Sequence, residues 1–384
     1  MRIAIDARFL GTGTGIGRYV EQLIFNLEKI VEDSDQRSRA KSRDRSGENL
    51  ENEYFILISK EVEDKYNFQN SNFKKKMVDI PWYSLAEQFK LPRILKNLNV
   101  DLVHFPHFNV PFFYNQAFVV SIHDLILTKY PSLRATTLNP LKYWVKNLFY
   151  KLVIKHAIQK SRAVITMANF TKGEIVQKFK VKEEKIKVIY EGVTSLEKSV
   201  AEIDLKKYGI TKNFVLYVGN AYPHKNLEFL IQAWLNFKED YQLVLVGQKD
   251  YFYQRLEKMI QDLGLENKII LTSYLSDSEL AGFYQQARAY VFPSLCEGFG
   301  LPPLEAMQFN LPVLVSNTSC LPEILEDSAL YFCPKDQDDF LEKLNQIIND
   351  QELRKKLIIN YQKLLLKYSW ETMARETLNI YHNL

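Results

Sequence analysis

The stretch Pro293–Met307, with the sequence PSLCEGFGLPPLEAM, carries the clearest structural pattern in the chain. The apolar run Ala289–Phe292 precedes it and predicts a strand, and the glycines that follow indicate a loop. Pro302–Pro303 suits the first position of a helix, which places Glu305 in the first helical turn. The segment therefore predicts a strand, a loop that carries Glu297, and a helix that carries Glu305.

Outward from this segment, short apolar runs alternate with helix-like stretches in both directions. This alternation predicts parallel sheets covered by helices on both faces. Because the pattern restarts after residues 209–211, we predict an N-terminal Rossmann-like domain over 1–194 and a second over 211–367. The predicted strands are residues 2–6, Tyr54–Ile58, Leu102–Phe105, Phe118–Ile122, Ala163–Thr166, Lys187–Ile189, Phe214–Val218, Gln242–Val246, Lys268–Leu271, Ala289–Phe292 and Pro312–Val315.

The composition excludes several classes of protein. A length of 384 residues suits two domains, and 46% hydrophobic with 25% charged residues excludes a disordered chain. Three cysteines without zinc spacing exclude a disulfide framework and fit a reducing cytoplasm. We expect no signal peptide and no membrane span. A net charge of +4 does not indicate nucleic acid. Residues 32–53, rich in charge and poor in apolar groups, predict a mobile loop.

Two carboxylates, Glu297 and Glu305, stand eight residues apart around a predicted helix N-terminus. Such carboxylates accept hydrogen bonds from sugar hydroxyls, while the exposed N–H groups bind phosphate. The pair therefore indicates a ligand that carries both hydroxyls and phosphate. The alternative is that Glu305 caps the helix and Glu297 lies on the surface.

The first loop of the second domain, Gly219–Asn226, places Lys225 at a helix start. The helix dipole disfavours a cation at this position unless an anion neutralises both. A phosphate group would satisfy the lysine and the free N–H groups together. The alternative is an ordinary solvated lysine.

A glycine-rich turn, Gly11–Gly17, follows the first strand and opens a helix. Its glycines allow close approach of a ligand to the backbone. The spacing does not match G-x-G-x-x-G, which disfavours an NAD(P)-dependent oxidoreductase. The alternative is a tight turn without a ligand.

Two polar residues, His123 and Asp124, follow the strand Phe118–Ile122. An imidazole at a strand's carboxyl end can hydrogen-bond substrate oxygens, and the neighbouring carboxylate can orient it. His104 and His107 end another strand and are further candidates. A structural histidine is the alternative in each case.

Taken together, these motifs resemble the retaining glycosyltransferases of family 4, also called group 1, which have the GT-B fold. Glu297 and Glu305 match the family's E-x7-E motif, and Gly219 with 223–226 is similar to its diphosphate loop. Residues 15–19 and 122–124 resemble its N-terminal glycine loop and histidine segment. Residues 368–372 resemble the start of its last helix, so the resemblance implies that 368–384 crosses back to the first domain.

The resemblance implies a nucleotide-diphosphate sugar donor, such as GDP-mannose or a UDP-hexose, in a cleft between facing parallel sheets. It also implies that 1–194 is the acceptor domain and 211–367 the nucleotide-sugar donor domain. Glu305 would hold the ribose and Lys225 the diphosphate. Glu297 and the amides of Gly298, Phe299 and Gly300 would orient the sugar, and His123 would contact it. Asn220 stands where many members carry Arg, so Lys225, His224 or loop amides would compensate. The residues implied to act in catalysis are His123, Glu297 and Asp124, and those implied to bind the donor are Gly15, Gly17, Gly219, Asn220, His224, Lys225, Gly298, Phe299, Gly300, Leu301 and Glu305.

The implied reaction is a retaining transfer of a hexose, with mannose expected, to a glycan or lipid-linked acceptor. No catalytic metal or other cofactor is implied. The triplet Asp33–Asp35 lies in the predicted charged loop, Asp336–Asp338 is expected to open a helix, and neither follows an apolar strand. A non-catalytic nucleotide-sugar-binding protein of the same fold is the alternative that Asn220 keeps open. We expect a cytoplasmic protein.

One basic segment adds a hypothesis about membranes. Residues 125–173 contain nine Lys or Arg and no acid. The helix predicted over 138–160 carries an apolar stripe of Leu141, Val145, Leu148 and Leu152, flanked by Lys142, Lys146, Lys151 and Lys155. This pattern suits peripheral contact with an anionic membrane on the inner face of the cytoplasmic membrane. The alternative is a helix packed in the first domain.

Overall fold

The computed structural model describes residues 1–41, 52–130, 140–196 and 203–384. These residues form two compact units. The first contains residues 1–41, 52–125, 140–192 and 369–384, and the second contains 126–130, 193–196 and 203–368. The predicted N-terminal domain, 1–194, includes residues 126–130, which the structure groups with the second unit.

The strands of the described residues fall into two sheets in which every pairing is parallel. Their bounds are β1 (Arg2–Asp6), β2 (Glu53–Ile58), β3 (Phe73–Met77), β4 (Leu102–Phe105), β5 (Phe118–Ile122), β6 (Ala163–Thr166), β7 (Ile186–Val188), β8 (Phe214–Val218), β9 (Gln242–Val246), β10 (Ile269–Thr272), β11 (Ala289–Phe292), β12 (Val313–Ser316) and β13 (Leu330–Phe332). The first unit orders its strands β3-β2-β1-β4-β5-β6-β7, and the second β10-β9-β8-β11-β12-β13. Both are doubly wound sheets, in which ligands bind beyond the carboxyl ends of the strands.

Helices connect these strands. Their bounds are α1 (Gly15–Lys41), α2 (Leu85–Asn97), α3 (Ile126–Lys129), α4 (Pro140–Lys160), α5 (Asn169–Phe179), α6 (Leu227–Asn236), α7 (Tyr251–Asp262), α8 (Asp277–Gln286), α9 (Leu301–Gln308), α10 (Leu321–Leu325), α11 (Gln337–Asn349), α12 (Gln351–Leu365) and α13 (Trp370–His382). In the first unit, buried side chains of β4, β5 and β6 pack against α2 and α4 to form the core. Strands covered on both faces explain why the apolar runs predicted them so well.

The return of the last helix to the first unit is confirmed. Helix α13 packs along α1. The buried His104 of β4 hydrogen-bonds through Nδ1 to the Tyr381 hydroxyl of α13, with 2.6 Å between the two atoms. The chain therefore completes its first unit only with its last residues.

The loop predicted over 32–53 is wrong in part. Residues 32–41 continue α1, and Glu53 opens β2, while residues 42–51 lie outside the described residues. Glu, Gln, Lys and Arg have favourable helix propensities, so a charged segment can extend a helix that the core has already nucleated.

The stripe predicted on α4 is exposed rather than core. Val145, Leu148 and Leu152 are 49%, 59% and 50% exposed. The helix packs through its other side, where Ile154 and Ile158 are fully buried. The side chains of Leu141 and Lys142 lie outside the described residues.

Candidate functional site

The loop after β11 carries Glu297 and leads into α9. Gly300 adopts a φ of +103°, a conformation that glycine tolerates, and α9 begins at Leu301. Glu305 is therefore the fifth residue of the helix, so the expectation that it lies in the first turn is wrong. The structure excludes the alternative of a surface Glu297 and a capping Glu305, because both residues are buried and Gly300 precedes the helix as its cap.

The segment after β12 fixes the shape of the Glu297 loop. The Ser319 hydroxyl accepts a hydrogen bond from the Glu297 amide at 3.0 Å. The buried Cys320 thiol donates to the carbonyls of Glu297 and Phe299, at 3.3 and 3.4 Å. In a trans peptide the C=O and the following N–H point in opposite directions. The amides of Gly298 and Gly300 therefore point away from Cys320, where they can donate to a ligand.

Lys225 meets Glu297 in the same unit. Its Nζ lies 2.6 Å from Glu297 Oε1. The ammonium also lies over the Phe292 ring, 5.2 Å from the centroid. Because both charged side chains are nearly buried, at 13% and 10% exposure, solvent screens this pair only weakly. The structure thus brings together two of the predicted site residues.

Three buried tyrosines hold the loop that follows β8. Tyr290 donates to the Val218 carbonyl at 3.2 Å, Tyr253 to that of Gly219 at 2.8 Å, and Tyr217 to that of Asn220 at 2.8 Å. With three carbonyls turned toward the tyrosines, the N–H groups of the next residues point the other way. That of Gly219 donates to the Val246 carbonyl at 3.0 Å, which leaves those of Asn220 and Ala221 as candidates for a ligand. A Cβ on Gly219 would lie 2.8 Å from the Tyr217 hydroxyl oxygen, so this position requires glycine.

Two further predicted residues of this loop differ in what they can contribute. Burial lowers the pKa of His224 to about 4; the Glu297 carboxylate opposes this with a smaller effect, and the Lys225 ammonium adds to the lowering. His224 is therefore neutral at pH 7 and cannot replace the missing arginine charge. Asn220 is exposed, and its side chain accepts from the Tyr222 amide at 3.3 Å.

Glu305 lies beside the Tyr284 hydroxyl, with 3.5 Å between Tyr284 Oη and Glu305 Oε2. Phe299, predicted to act through its amide, buries its ring against Tyr368, with 5.2 Å between the centroids. The site of the second unit therefore combines one cation, two buried carboxylates and two sets of outward N–H groups.

In the first unit, the glycine loop opens α1 as predicted. Gly17 is required, because a Cβ there would lie 2.8 Å from the Phe9 carbonyl oxygen. Its amide donates to the Thr14 hydroxyl at 3.1 Å. A Cβ on Gly15 would meet no atom within 4 Å. The protein's own packing therefore does not require glycine at that position, and open space lies beside it.

His123 has two acceptors as partners. Its Nε2 lies 2.9 Å from the Pro106 carbonyl, and its Nδ1 lies 3.2 Å from Glu191 Oε1. Burial lowers the pKa of His123, but the Glu191 carboxylate, the Pro106 carbonyl and Asp124 outweigh it, so the net pKa is raised. Two acceptors favour the imidazolium, which donates from both nitrogens. A ligand oxygen can bind this ring only by replacing one of them.

His104 was a further candidate for the site. His104 is fully buried, and its second nitrogen contacts the Ser121 hydroxyl at 2.8 Å, so it is a structural residue rather than a site residue. Burial lowers its pKa to about 3.

Glu191 was missed by the sequence reasoning. Its signal is that it follows β7, at the sheet edge where His123 follows β5.

Both aspartate triplets belong to helical segments. Asp336 caps α11 by accepting from the amides of Asp338 and Asp339, which agrees with the prediction that it opens a helix. Residues 33–35 lie within α1.

Among the described residues, no helix is long and apolar enough to cross a membrane.

Comparison with known proteins gives consistent matches. The family described as glycosyl transferases group 1 matches residues 200–364, and glycosyltransferase family 4 matches residues 63–195. The O-antigen chain mannosyltransferase RfbU of Salmonella typhimurium is 28% identical, over 80% of each chain. The O-antigen chain mannosyltransferase B of Escherichia coli is 26% identical, over 96% of each chain.

A solved structure shows the same fold. The sucrose-phosphate synthase of Thermosynechococcus elongatus superposes with a TM-score of 0.75 at 19% identity, covering 100% of this chain and 98% of that one. The predicted GT-B fold is confirmed.

Proposed function

Since the chain belongs to the group 1 glycosyltransferases of family 4, we propose that it transfers mannose from a nucleotide-diphosphate donor to a glycan or lipid-linked acceptor. The choice of mannose is supported by the two relatives above, whose names describe O-antigen chain mannosyltransferases and which this chain covers over most of their length. By the same argument, the product is a bacterial surface polysaccharide.

The observation that carries this proposal is the combination of groups around Lys225. A diphosphate needs positive charge and N–H donors, which Lys225 and the amides after Gly219 and Glu297 supply. The ribose and hexose need acceptors for their hydroxyls, which the buried carboxylates of Glu305 and Glu297 supply. In this assignment Gly298, Phe299 and Gly300 donate to the ligand through their backbone.

The proposed chemistry breaks the bond between the sugar C1 and the diphosphate oxygen. The acceptor hydroxyl oxygen bonds to C1 on the same face, which retains the configuration, and its proton goes to the departing diphosphate. The transition state develops negative charge on the diphosphate, which the Lys225 ammonium and the loop amides stabilise. His123, whose protonated form the Glu191 carboxylate favours, donates a hydrogen bond to the sugar after exchanging its Pro106 contact.

This proposal is tested by incubating the full chain with GDP-mannose, UDP-glucose or UDP-galactose and a panel of methyl glycosides and prenyl-linked saccharides. Mass spectrometry should detect an acceptor that gains one hexose, with GDP-mannose preferred. No gain with any donor, together with no donor binding, would overturn the proposal.

A second candidate is a protein that binds nucleotide sugars without transferring them. The neutral His224 and the exposed Asn220 favour it, because the loop then supplies a single side-chain cation. In the same assay this protein would bind a donor but neither transfer nor hydrolyse it.

We also propose peripheral contact with anionic membranes through α4. Its exposed face carries Trp144 and Phe149 beside the predicted stripe, and Lys146, Lys151 and Lys155 are exposed around it. Apolar side chains flanked by lysines suit the boundary between headgroups and acyl chains. The contact would bring a lipid-linked acceptor to a cytoplasmic enzyme.

A further inference from the structure

Tyr83 has a backbone conformation that its side chain does not favour. Its φ is +59°, in the left-handed region, and it is the only aromatic residue there among the described positions. The residue is nevertheless 54% exposed. Strained residues of this kind persist only where the surroundings hold them, and they cluster at binding sites.

A buried charge cluster holds this conformation. The Tyr83 amide donates to Glu87 Oε2 at 2.8 Å, and the fully buried Glu87 also accepts from Arg8 at 2.6 Å and from Asn109 at 2.8 Å. Arg8 in turn donates to both carboxylate oxygens of Asp6. Four buried side chains therefore fix the backbone of one exposed aromatic residue.

Capping of α2 does not explain this arrangement. Ser84 already caps the helix by accepting from the Glu87 amide at 3.1 Å. A hydrophobic staple would pair Tyr83 with the fourth residue of the helix, which is the polar Gln88. The half-exposed ring thus does not serve the helix, and its contact toward the core is with Phe108, with 6.3 Å between the centroids.

Tyr83 belongs to an aromatic cluster, which we define as Phe9, Trp82, Tyr83 and His107. Phe9 and Trp82 stack with 4.3 Å between centroids and 9° between planes. His107 lies 5.1 Å from Phe9 and 6.2 Å from Tyr83. Phe9 follows β1 and His107 follows β4, so the cluster lies at the carboxyl edge of the sheet beside the glycine loop.

Two polar atoms of the cluster have no partner. Trp82 Nε1 and His107 Nδ1 are buried without a hydrogen bond to any part of the chain that the structure describes. Buried groups without partners are rare and require an explanation. Burial lowers the pKa of His107 to about 3, so its ring is neutral at pH 7. The adjacent Pro106 carries the carbonyl that contacts His123.

We propose that the aromatic cluster binds a neutral glycosyl unit of the acceptor. The apolar face of the pyranose stacks on the Tyr83 ring, as amphipathic ligands do on tyrosine and tryptophan. The Lys146 ammonium lies over that ring, 5.7 Å from the centroid, and the sugar would stack on the part of the residue that solvent reaches. The Trp82 N–H and the His107 imidazole bond its hydroxyls after the rotamer adjustments that binding commonly brings.

The assignment of the bound sugar as acceptor rests on the proposed function. The binding itself does not, so the two can fail separately. Binding of methyl glycosides of mannose, galactose, glucose, rhamnose and N-acetylglucosamine to the full chain is measured by saturation-transfer NMR, and GDP-mannose binding is measured in parallel. If the glycosides bind at the cluster and no nucleotide sugar binds anywhere, the proposed function fails and the cluster stands.

The decisive variant is Tyr83→Gly. Glycine adopts a positive φ without strain, so this variant should keep or raise the Tm while glycoside affinity falls at least tenfold. Tyr83→Phe should keep most of the affinity, and Tyr274→Ala, which removes a 77% exposed tyrosine of the second unit, should change nothing. The proposal is overturned if no glycoside binds or if a folded Tyr83→Gly variant binds glycosides as well as the wild type.

Discussion

Lys225 and Glu297 form an ion pair in the second unit, with 2.6 Å between Nζ and Oε1. The pair links the loop after β8 to the loop after β11, the two segments proposed to bind the donor. In the proposed function, the donor diphosphate replaces Glu297 as the partner of Lys225. Glu297 then accepts a hydrogen bond from a sugar hydroxyl. The pair is therefore a preorganised form of the site.

The two partners should differ in their effect on GDP binding. Lys225→Met removes a charge-assisted hydrogen bond, worth about 1.5–3 kcal/mol, so GDP should bind roughly 10- to 150-fold more weakly. Glu297→Gln frees the lysine, so GDP affinity should hold or rise while transfer falls. Isothermal titration measures both, and equal losses in the two variants would contradict the assigned roles.

The protonation of His123 should depend on Glu191. Folding raises the pKa of His123 above its ordinary value of 6.5. The imidazolium therefore stabilises the fold fully below about pH 6.5, and this stabilisation disappears as pH rises through the folded pKa of His123. Glu191→Gln should lower that pKa and reduce stability at acidic pH. NMR titration of the ring protons, assigned with His123→Asn, checks this. An unchanged pKa in the variant would show that Glu191 does not hold the charge.

Most strands were predictable because parallel strands are buried on both faces. Two strands were missed for identifiable reasons. β3 reads FKKKM, and its three exposed lysines protect the edge of the sheet while concealing the apolar pattern. β13 has only three residues.

The candidate site was less predictable than the fold. Motif residues such as Lys225 and Glu297 stand out by position after strands, but their contact joins segments 72 residues apart. The support from Ser319 and Cys320 depends on thiol and hydroxyl contacts between neighbouring loops, for which the sequence has no spacing rule. Tyr83 lacks a local signal as well, because residues distant in sequence hold its backbone.

Binding to membranes should be weak and sensitive to salt. Each lysine near an anionic surface contributes on the order of 1 kcal/mol, within a Debye length of about 8 Å at physiological salt. We expect co-sedimentation with anionic vesicles at low salt, and its loss in the triple variant Lys146/Lys151/Lys155→Gln. The matched control is Lys355/Lys356/Lys363→Gln, three exposed lysines of α12. If the control loses as much binding as the α4 variant, α4 is not the contact.

Metal removal should leave transfer intact. Lys225 and the loop amides neutralise the diphosphate in the proposed mechanism, so activity should survive EDTA. Asp336→Asn and Asp336→Ala should affect at most the cap of α11, costing up to about 2 kcal/mol of stability, and leave transfer unchanged. An absolute requirement for Mg²⁺ or Mn²⁺ would replace this mechanism with a metal-assisted one.

The affinity of the chain for nucleotide sugars, with and without the Glu305 carboxylate, tests the central claim most directly. Isothermal titration with GDP-mannose and UDP-hexoses should find a donor that binds the wild type. Glu305→Ala should weaken it by about 1–3 kcal/mol, because ribose hydroxyls lose their buried acceptor. Glu352→Ala, which removes an exposed carboxylate of the same unit, should leave the affinity unchanged. If no nucleotide sugar binds, or if a folded Glu305→Ala variant binds it as tightly as the wild type, the account is contradicted.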